Sequence, residues 1–317
     1  MYKILFFFSV FLFSNMLSGQ KIERIAFYNV ENLFDTIDGP NNDEEFLPQG
    51  KKLWNLKKYK EKITNINKVF CELNTPMIIG LCEIENDRVL QDIIKKGKSL
   101  KNYKTVHHES PDARGIDASL IYDSKKLKVL DHGFIRFILP EQKNPTTRDI
   151  VWAQFKYKKE SFYVMVNHWP SRRGGTDKSE PKRIKAAQNA RRFIDSLLVI
   201  DSETKIIFMG DLNDYPENAS VQLILEKLNP KITNTSNRFS GTHCYKGEWN
   251  ILDHIFTSQG WDDGLLKSNS VVGGILTLDY LLTTYKGQIV PYRTYGGSKY
   301  LGGFSDHLPV YIDIEVH

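Results

Sequence analysis

The sequence predicts an α/β protein built on a mixed or antiparallel two-sheet body flanked by helices. Three observations carry this: four one-sided helical stripes, short non-alternating apolar runs between them, and polar, ligand-capable residues at the ends of those runs. A chain of 317 residues exceeds the usual domain of roughly 100–200 residues but is within reach of one large α/β unit. Hydrophobic residues at 41% and charged residues at 26% exclude a disordered, collagenous or polytopic membrane chain. Lys plus Arg (43) against Asp plus Glu (38) leaves +5, which suits a phosphate-bearing partner without identifying one.

Residues 1–19 stand apart. Lys3 is a positive start, Ile4 to Leu17 is almost wholly apolar, and Ser18-Gly19 offers small residues before Gln20, the pattern of a signal peptide. The apolar run is about 14 residues where a spanning helix needs roughly 20. The expected product is one mature domain, 20–317, exported to the periplasm or the cell exterior, with no stable membrane insertion after cleavage.

The elements then follow in order. Ile25-Ala26-Phe27-Tyr28 is an apolar run that ends at Asn29. Tyr59, Ile63, Ile66, Phe70 and Leu73 step by 4, 3, 4 and 3, a helical stripe. Met77-Ile78-Ile79 leads through Gly80-Leu81-Cys82 to Glu83, and Val89, Leu90, Ile93 and Ile94 mark a second helix. Ile116 to Tyr122 reads as a strand with Arg114 just before it. Phe162 to Val166 ends at Asn167-His168, and the basic loop Trp169 to Gly175 follows. Ile184, Ala187, Ile194 and Leu197 share a helical face, with Ser179 and Pro181 as start signals. Ile206 to Met209 runs into Gly210-Asp211-Leu212-Asn213, and Val221, Ile224, Leu225 and Leu228 form the fourth stripe. The apolar runs suit strands covered on both faces.

Two further segments reverse the order, with chemistry preceding the strand: Asp253-His254 opens Ile255-Phe256, and Asp306-His307 opens Leu308 to Ile312. If all six polar ends share one edge, strands run both ways, which disfavours a purely parallel nucleotide-binding sheet with ligands at carboxyl ends only. A lone Asp or Asn at a strand end is more often a turn residue. Six such ends in one chain make coincidence the weaker explanation. Cys71, Cys82 and Cys244 form neither a disulfide framework nor a zinc pattern, and sequence leaves their pairing open.

Tyr28-Asn29-Val30-Glu31-Asn32, Gly80-Leu81-Cys82-Glu83, Arg114-Gly115-Ile116-Asp117, Asn167-His168-Trp169, Gly210-Asp211-Leu212-Asn213-Asp214, Leu252-Asp253-His254-Ile255 and Ser305-Asp306-His307-Leu308-Pro309-Val310 resemble the ordered motifs of the endonuclease/exonuclease/phosphatase superfamily, the DNase I-like fold. The resemblance spans positions 28–310. It implies a four-layer α/β/β/α sandwich with two central mixed sheets and a divalent-metal phosphoesterase site at one edge. His254 departs from the pattern, since Tyr or Arg often follows the supporting Asp.

The resemblance implies Mg²⁺, with Mn²⁺ or Ca²⁺ as alternatives, held by Glu83 and by Asn29 directly or through water. A hard ion of this kind takes oxygen ligands and keeps several waters. Asp306-His307 reads as a carboxylate orienting an imidazole, with His307 the general base. Asp211 and Asn213 are expected to orient the nucleophile and hold a phosphoryl oxygen. His168, supported by Asp253, is expected to donate to a non-bridging oxygen. Arg114, Arg172 and Arg173 are candidate phosphate contacts, and Glu31, Glu85 and Asp117 stand behind them. Lys51 to Lys62 reads as a solvated basic helix face. The implied activity is a nuclease cutting DNA or RNA phosphodiesters, hence a nucleic-acid partner. The alternatives are a phosphatase or sphingomyelinase-like phosphodiesterase, and a non-catalytic binding module on the same fold.

Overall fold

The computed structural model describes residues 21–137, 147–267 and 273–317, so the expected signal peptide lies outside the described residues. In chain order the main elements are β1 (Lys21–Leu33), α1 (Leu56–Glu72), β2 (Ile78–Ile84), α2 (Asp87–Lys96), β3 (Tyr103–His107), β4 (Asp117–Asp123), β5 (Leu127–Ile135), β6 (Ile150–Tyr157), β7 (Glu160–His168), α3 (Thr176–Ile200), β8 (Ile206–Asp211) and α4 (Ala219–Leu225). Shorter strands follow, and Asp253–Thr257 and Val310–Val316 complete the two sheets near the site. The first sheet has the order Leu266–Lys267, Val310–Val316, β1, β2, β4, β3, with Gly274–Ile275 also on Val310–Val316. The second runs β5, β6, β7, β8, Asp253–Thr257, Asn229–Pro230.

Each sheet has one parallel pair near its centre, β1 with β2 and β7 with β8. A parallel pair needs a crossover, supplied by α1 in the first sheet and α3 in the second. The other pairings are antiparallel. Both sheets are therefore mixed, in agreement with the strand directions inferred from the polar ends.

Period-2 alternation explains the layers. In β7 and β8, Val164, Val166, Ile207 and Met209 join the core between the sheets, while Met165, Ile206 and Phe208 join a second core with Ala186, Ala187, Ala190 and Ile194 of α3 and Val221 and Ile224 of α4. Tyr59, Ile63, Ile66 and Phe70 of α1 and Val89, Leu90 and Ile93 of α2 cover the outer face of the first sheet. Each such side chain, fully buried, contributes about 1.5–3 kcal/mol. At Gly80 the sheets approach closely: a Cβ there would meet Met209 Cε at 2.8 Å and Val166 Cγ2 at 3.1 Å.

Helix starts are set by side chains. Asn55 accepts the Lys58 N–H at 3.1 Å and Asn86 the Val89 N–H at 3.1 Å, N-caps worth about 0.5–2 kcal/mol each. The start of α3 differs from the sequence reading, because it opens at Thr176 and Pro181 lies inside it. Ser179 Oγ donates to the carbonyls of Gly175 and Thr176 at 2.8 and 3.0 Å, which holds the first turn ahead of the proline.

Candidate active site

Register brings the polar strand ends together. Asn29 of β1 lies opposite Cys82 of β2, one residue before Glu83. His168 of β7 lies opposite Asp211 of β8, and Asp211 opposite Asp253. His307 comes three residues before Val310–Val316, whose Val310 pairs with Phe27 of β1. Two local distortions aim the acids. The β2–β4 register shifts between Cys82 and Ile84, and Glu83 sits there with φ 62°. The β1–β2 register shifts between Asn29 and Leu33, with Glu31 and Asn32 at φ 53° and 48°. Bulges of this kind recur beside active sites, where they redirect a side chain.

Asp211 is the centre. Its Oδ2 accepts from Asn29 Nδ2 at 3.1 Å and lies 3.7 Å from His168 Nε2 and 3.8 Å from His307 Nε2. Its Oδ1 accepts the Asn213 N–H at 2.9 Å. Burial lifts its pKa to about 7, with His307 opposing and Asp253 adding to the rise. Glu83 uses Oε2 on the Asn32 N–H at 2.8 Å, and its Oε1 stands 3.9 Å from His168 Nε2 and 4.0 Å from Arg114 Nη1.

The two histidines are pushed in opposite directions. Burial drives His168 well below its ordinary pKa, with Arg148, Arg114 and His307 adding to the effect. His168 Nδ1 is buried without a hydrogen-bond partner, so the proton of the neutral ring belongs on Nε2, which faces Asp211 and Glu83. For His307, burial is outweighed by Asp253 and Asp211, which hold it well above its ordinary range. His307 Nδ1 lies 2.7 Å from Asp253 Oδ2.

That contact corrects two sequence expectations. Asp253 orients His307 and not His168, and Asp306 does not orient His307: it pairs with Arg293 Nη2 at 2.6 Å. Asp306 stays near His307, with ligand atoms of His243, Asp306 and His307 within 4.8 Å of one another, but its hydrogen bond goes to Arg293. Asn213 also differs, since its Nδ2 donates to the Trp169 carbonyl at 3.0 Å. Arg172 is turned inward, to Asp214 Oδ1 at 3.0 Å, Asn218 Oδ1 at 2.6 Å and the Asn213 carbonyl at 3.0 Å, which corrects its reading as a phosphate contact. Asp214, wholly buried, also holds Arg183 at 2.6 Å and Ser220 at 2.6 Å. Arg173 and Arg114 are exposed. Lys62, expected on a solvated face, is buried and bonded to Thr294 and the Phe304 carbonyl, and burial lowers its pKa to about 8.

Glu31 and Glu85 are both buried, and each accepts backbone N–H groups, Glu31 from Thr294 and Tyr295, Glu85 from Asp35. His254 Nε2 faces the Asp214 carbonyl at 3.0 Å, which accounts for an imidazole at that position. Arg293 and His243, whose ring lies 4.8 Å from that of His307, join the site without a motif to announce them.

The donor set fits a hard divalent ion. Glu83 keeps Oε1 toward the centre, and Asn29 Oδ1, which accepts the Glu31 N–H at 2.9 Å, has a second lone pair to offer. Cys82 lies within metal-ligand reach of His168 and Asp211, but burial raises its thiol pKa well above the usual value, so it is neutral and a poor ligand for such an ion. All three cysteines are free thiols.

Protein angel of Drosophila melanogaster is 25% identical over 206 residues, 58% of this chain and 55% of that protein, so the chain spans about half the length of that relative. The mannosyl-6-phosphatase of Bacteroides thetaiotaomicron superposes with a TM-score of 0.60 at 16% identity, over 92% of this chain and 99% of that one. D. rerio TDP2 in complex with a single-strand DNA product gives 0.58 at 16% identity, over 92% and 98%. These two likenesses show the shared fold. The family profile matches residues 24–316, nearly all of the described chain, and with the fold and the ordered site it establishes that this protein belongs to the endonuclease/exonuclease/phosphatase family.

Proposed function

We propose that the chain is an exported, Mg²⁺-dependent phosphoesterase whose substrate is a nucleic-acid phosphodiester. The observation that carries the hydrolytic reading is Asp211 Oδ2 set 3.7 and 3.8 Å from the Nε2 atoms of His168 and His307, with Glu83 Oε1 beside them. Asp211 accepts a hydrogen bond from the attacking water and points its oxygen at phosphorus. With Asp253 fixing Nδ1–H, neutral His307 receives the water's proton on Nε2 as the new P–O bond forms and the bond to the leaving oxygen breaks. His168 Nε2–H donates to a non-bridging oxygen as negative charge gathers there. A divalent ion held by Glu83 and Asn29 would supply charge neutralisation at the phosphoryl group.

The nucleic-acid reading is supported by the net charge of +5, by exposed Arg114, 4.0 Å from Glu83, and by exposed Arg173 in the loop that follows His168, and the DNA-bound relative is consistent with it. The inward turn of Arg172 favours a second reading, a phosphatase of small phosphoesters, because it removes one cation from the surface a polymer would cross. Export rests on the signal-like segment at 1–19. The test is a panel of plasmid, single-stranded DNA, RNA, a sugar phosphomonoester and sphingomyelin, each with and without Mg²⁺. Faster turnover of the phosphomonoester or the lipid than of any nucleic acid sinks the nuclease reading. Metal-independent turnover sinks the mechanism.

A further inference from the structure

Two hairpins rise from the candidate site, and both turn on the same tripeptide, Tyr-Lys-Gly. His243–Tyr245 pairs with Glu248–Asn250 through a turn at Lys246-Gly247, and Leu282–Tyr285 pairs with Gln288–Pro291 through Lys286-Gly287. Lysine and glycine have positive φ in each, 52° and 89° in the first and 49° and 77° in the second, the backbone of a type I′ turn. Both tyrosines are 62% exposed, and each has its own turn lysine Nζ near the ring, 5.3 and 5.5 Å from the centroid. The turn does not force that exposure. Tyr157-Lys158 makes the same step between β6 and β7, at the end of β7 remote from His168, and there the tyrosine is 2% exposed.

Both hairpins are rooted in the site. His243 forms an isolated antiparallel bridge with His307, their rings 4.8 Å apart, and Arg293, two residues beyond Pro291, holds Asp306. Strand alternation puts Tyr245 on the same face as His243, about 7 Å further along. Trp249, on the opposite face, stacks on Phe239 at 4.6 Å and fixes the hairpin. The two tips touch, because a Cβ built on Gly247 would collide with the Gln288 side-chain amide. Tyr285 pairs with Gln288 across its own hairpin, so those two side chains share the face that is turned to the first tip. One ledge thus runs from His307 past Tyr245 to Tyr285.

We propose, building on the nucleic-acid reading of the site, that this ledge binds single-stranded nucleic acid, with an unpaired base stacked on each tyrosine and phosphates beside Lys246 and Lys286. Stacking on an aromatic side chain is indifferent to sequence, and it needs a base face that a duplex does not offer. Glu248, opposite Tyr245, offsets one of the two lysines, so ring contact and not charge dominates the recognition. The same offset disfavours an anionic lipid surface, which attracts clusters of uncompensated cations.

The experiment is fluorescence anisotropy of a short labelled phosphorothioate DNA single strand, and of the matching duplex, with the full chain in Mg²⁺. Wild-type protein is expected to bind the single strand more tightly. Tyr245→Ala with Tyr285→Ala should weaken single-strand binding tenfold or more and duplex binding far less, whereas Tyr245→Phe with Tyr285→Phe, which keeps the rings, should bind as wild type does. Should the alanine pair fail to fold, Lys246→Glu with Lys286→Glu decides the matter through lost affinity and a shallower salt dependence. The ledge is overturned if the folded variants bind the single strand as wild type does, or if what the alanine pair loses is affinity for phosphatidylserine vesicles. Wild-type protein that cuts DNA, with ledge variants that bind it unchanged, sinks the ledge alone. Wild-type protein that neither binds nor cuts any nucleic acid sinks the nucleic-acid reading and the ledge with it.

Discussion

Asp253 Oδ2 and His307 Nδ1 lie 2.7 Å apart, joined across 54 positions of sequence, and both are buried. The pair fixes the tautomer that leaves His307 Nε2 facing Asp211. Because Asp253 and Asp211 hold the imidazolium against the cost of burial, base function requires the ring to lose its proton at a pH above the ordinary histidine range. Activity should therefore rise with pH on the alkaline side of neutrality. Asp253→Asn removes a charge that raises the pKa, so the rising limb should move to lower pH while kcat falls by roughly 10²–10⁴-fold. A pH–rate profile of the folded variant checks both, and an unmoved limb removes His307 as the base.

Glu83→Gln should raise the Mg²⁺ concentration needed for half-maximal activity, by more than the roughly 10–100-fold that losing an outer-shell partner costs. The amide still accepts the Asn32 N–H, so the circular dichroism spectrum should match wild type. Unchanged metal dependence takes Glu83 out of the site.

Asp214→Ala should destabilise the fold by about 3–5 kcal/mol, because it leaves the fully buried Arg183 without its counter-charge. Arg172→Ala should cost less, since its side chain is only half-buried. Urea unfolding of the two variants gives the order, and equal losses contradict Asp214 as the hub.

Buried histidines predict acid sensitivity. Burial lowers His243 to about 4 and lowers His254 as well, against an unfolded value of about 6.5. Below that value the unfolded chain binds protons that the folded chain refuses, so stability falls as pH drops from 6.5 toward 4. Each such group steepens the slope by up to about 1.4 kcal/mol per pH unit. His254→Gln should flatten it, and denaturation midpoints across that range provide the measurement.

The two-sheet body and the edge that carries the chemistry were legible because apolar runs and polar ends are local features. Asn29, Glu83, His168, Asp211, Asp253 and His307 all stand at strand boundaries in the sequence and meet in the structure. Partnership was not legible. Asp306 is next to His307 in the chain, yet its hydrogen bond goes to Arg293, and the antiparallel pairing of Asp253–Thr257 with β8 delivers Asp253 to the site as the partner of His307. The inward turn of Arg172 likewise depends on a buried Asp214 whose environment no dipeptide reports. The strained φ at Glu83 is a property of a bulge set by two neighbouring strands.

The first sheet joins the two ends of the described chain where Val310–Val316 pairs with β1, and there Arg24 grips Asp313 with two hydrogen bonds of 2.7 and 2.8 Å between residues 289 positions apart. A contact of such span is entropically expensive to close and belongs late in folding. His307 rides three residues ahead of that strand, so the base reaches Asp253 and Asp211 only as Val310–Val316 pairs with β1. Catalytic competence is thus a kinetic endpoint: a partly folded chain can hold native helices and most of both sheets and still be inert, and recovery of activity on refolding times the closure of this one seam.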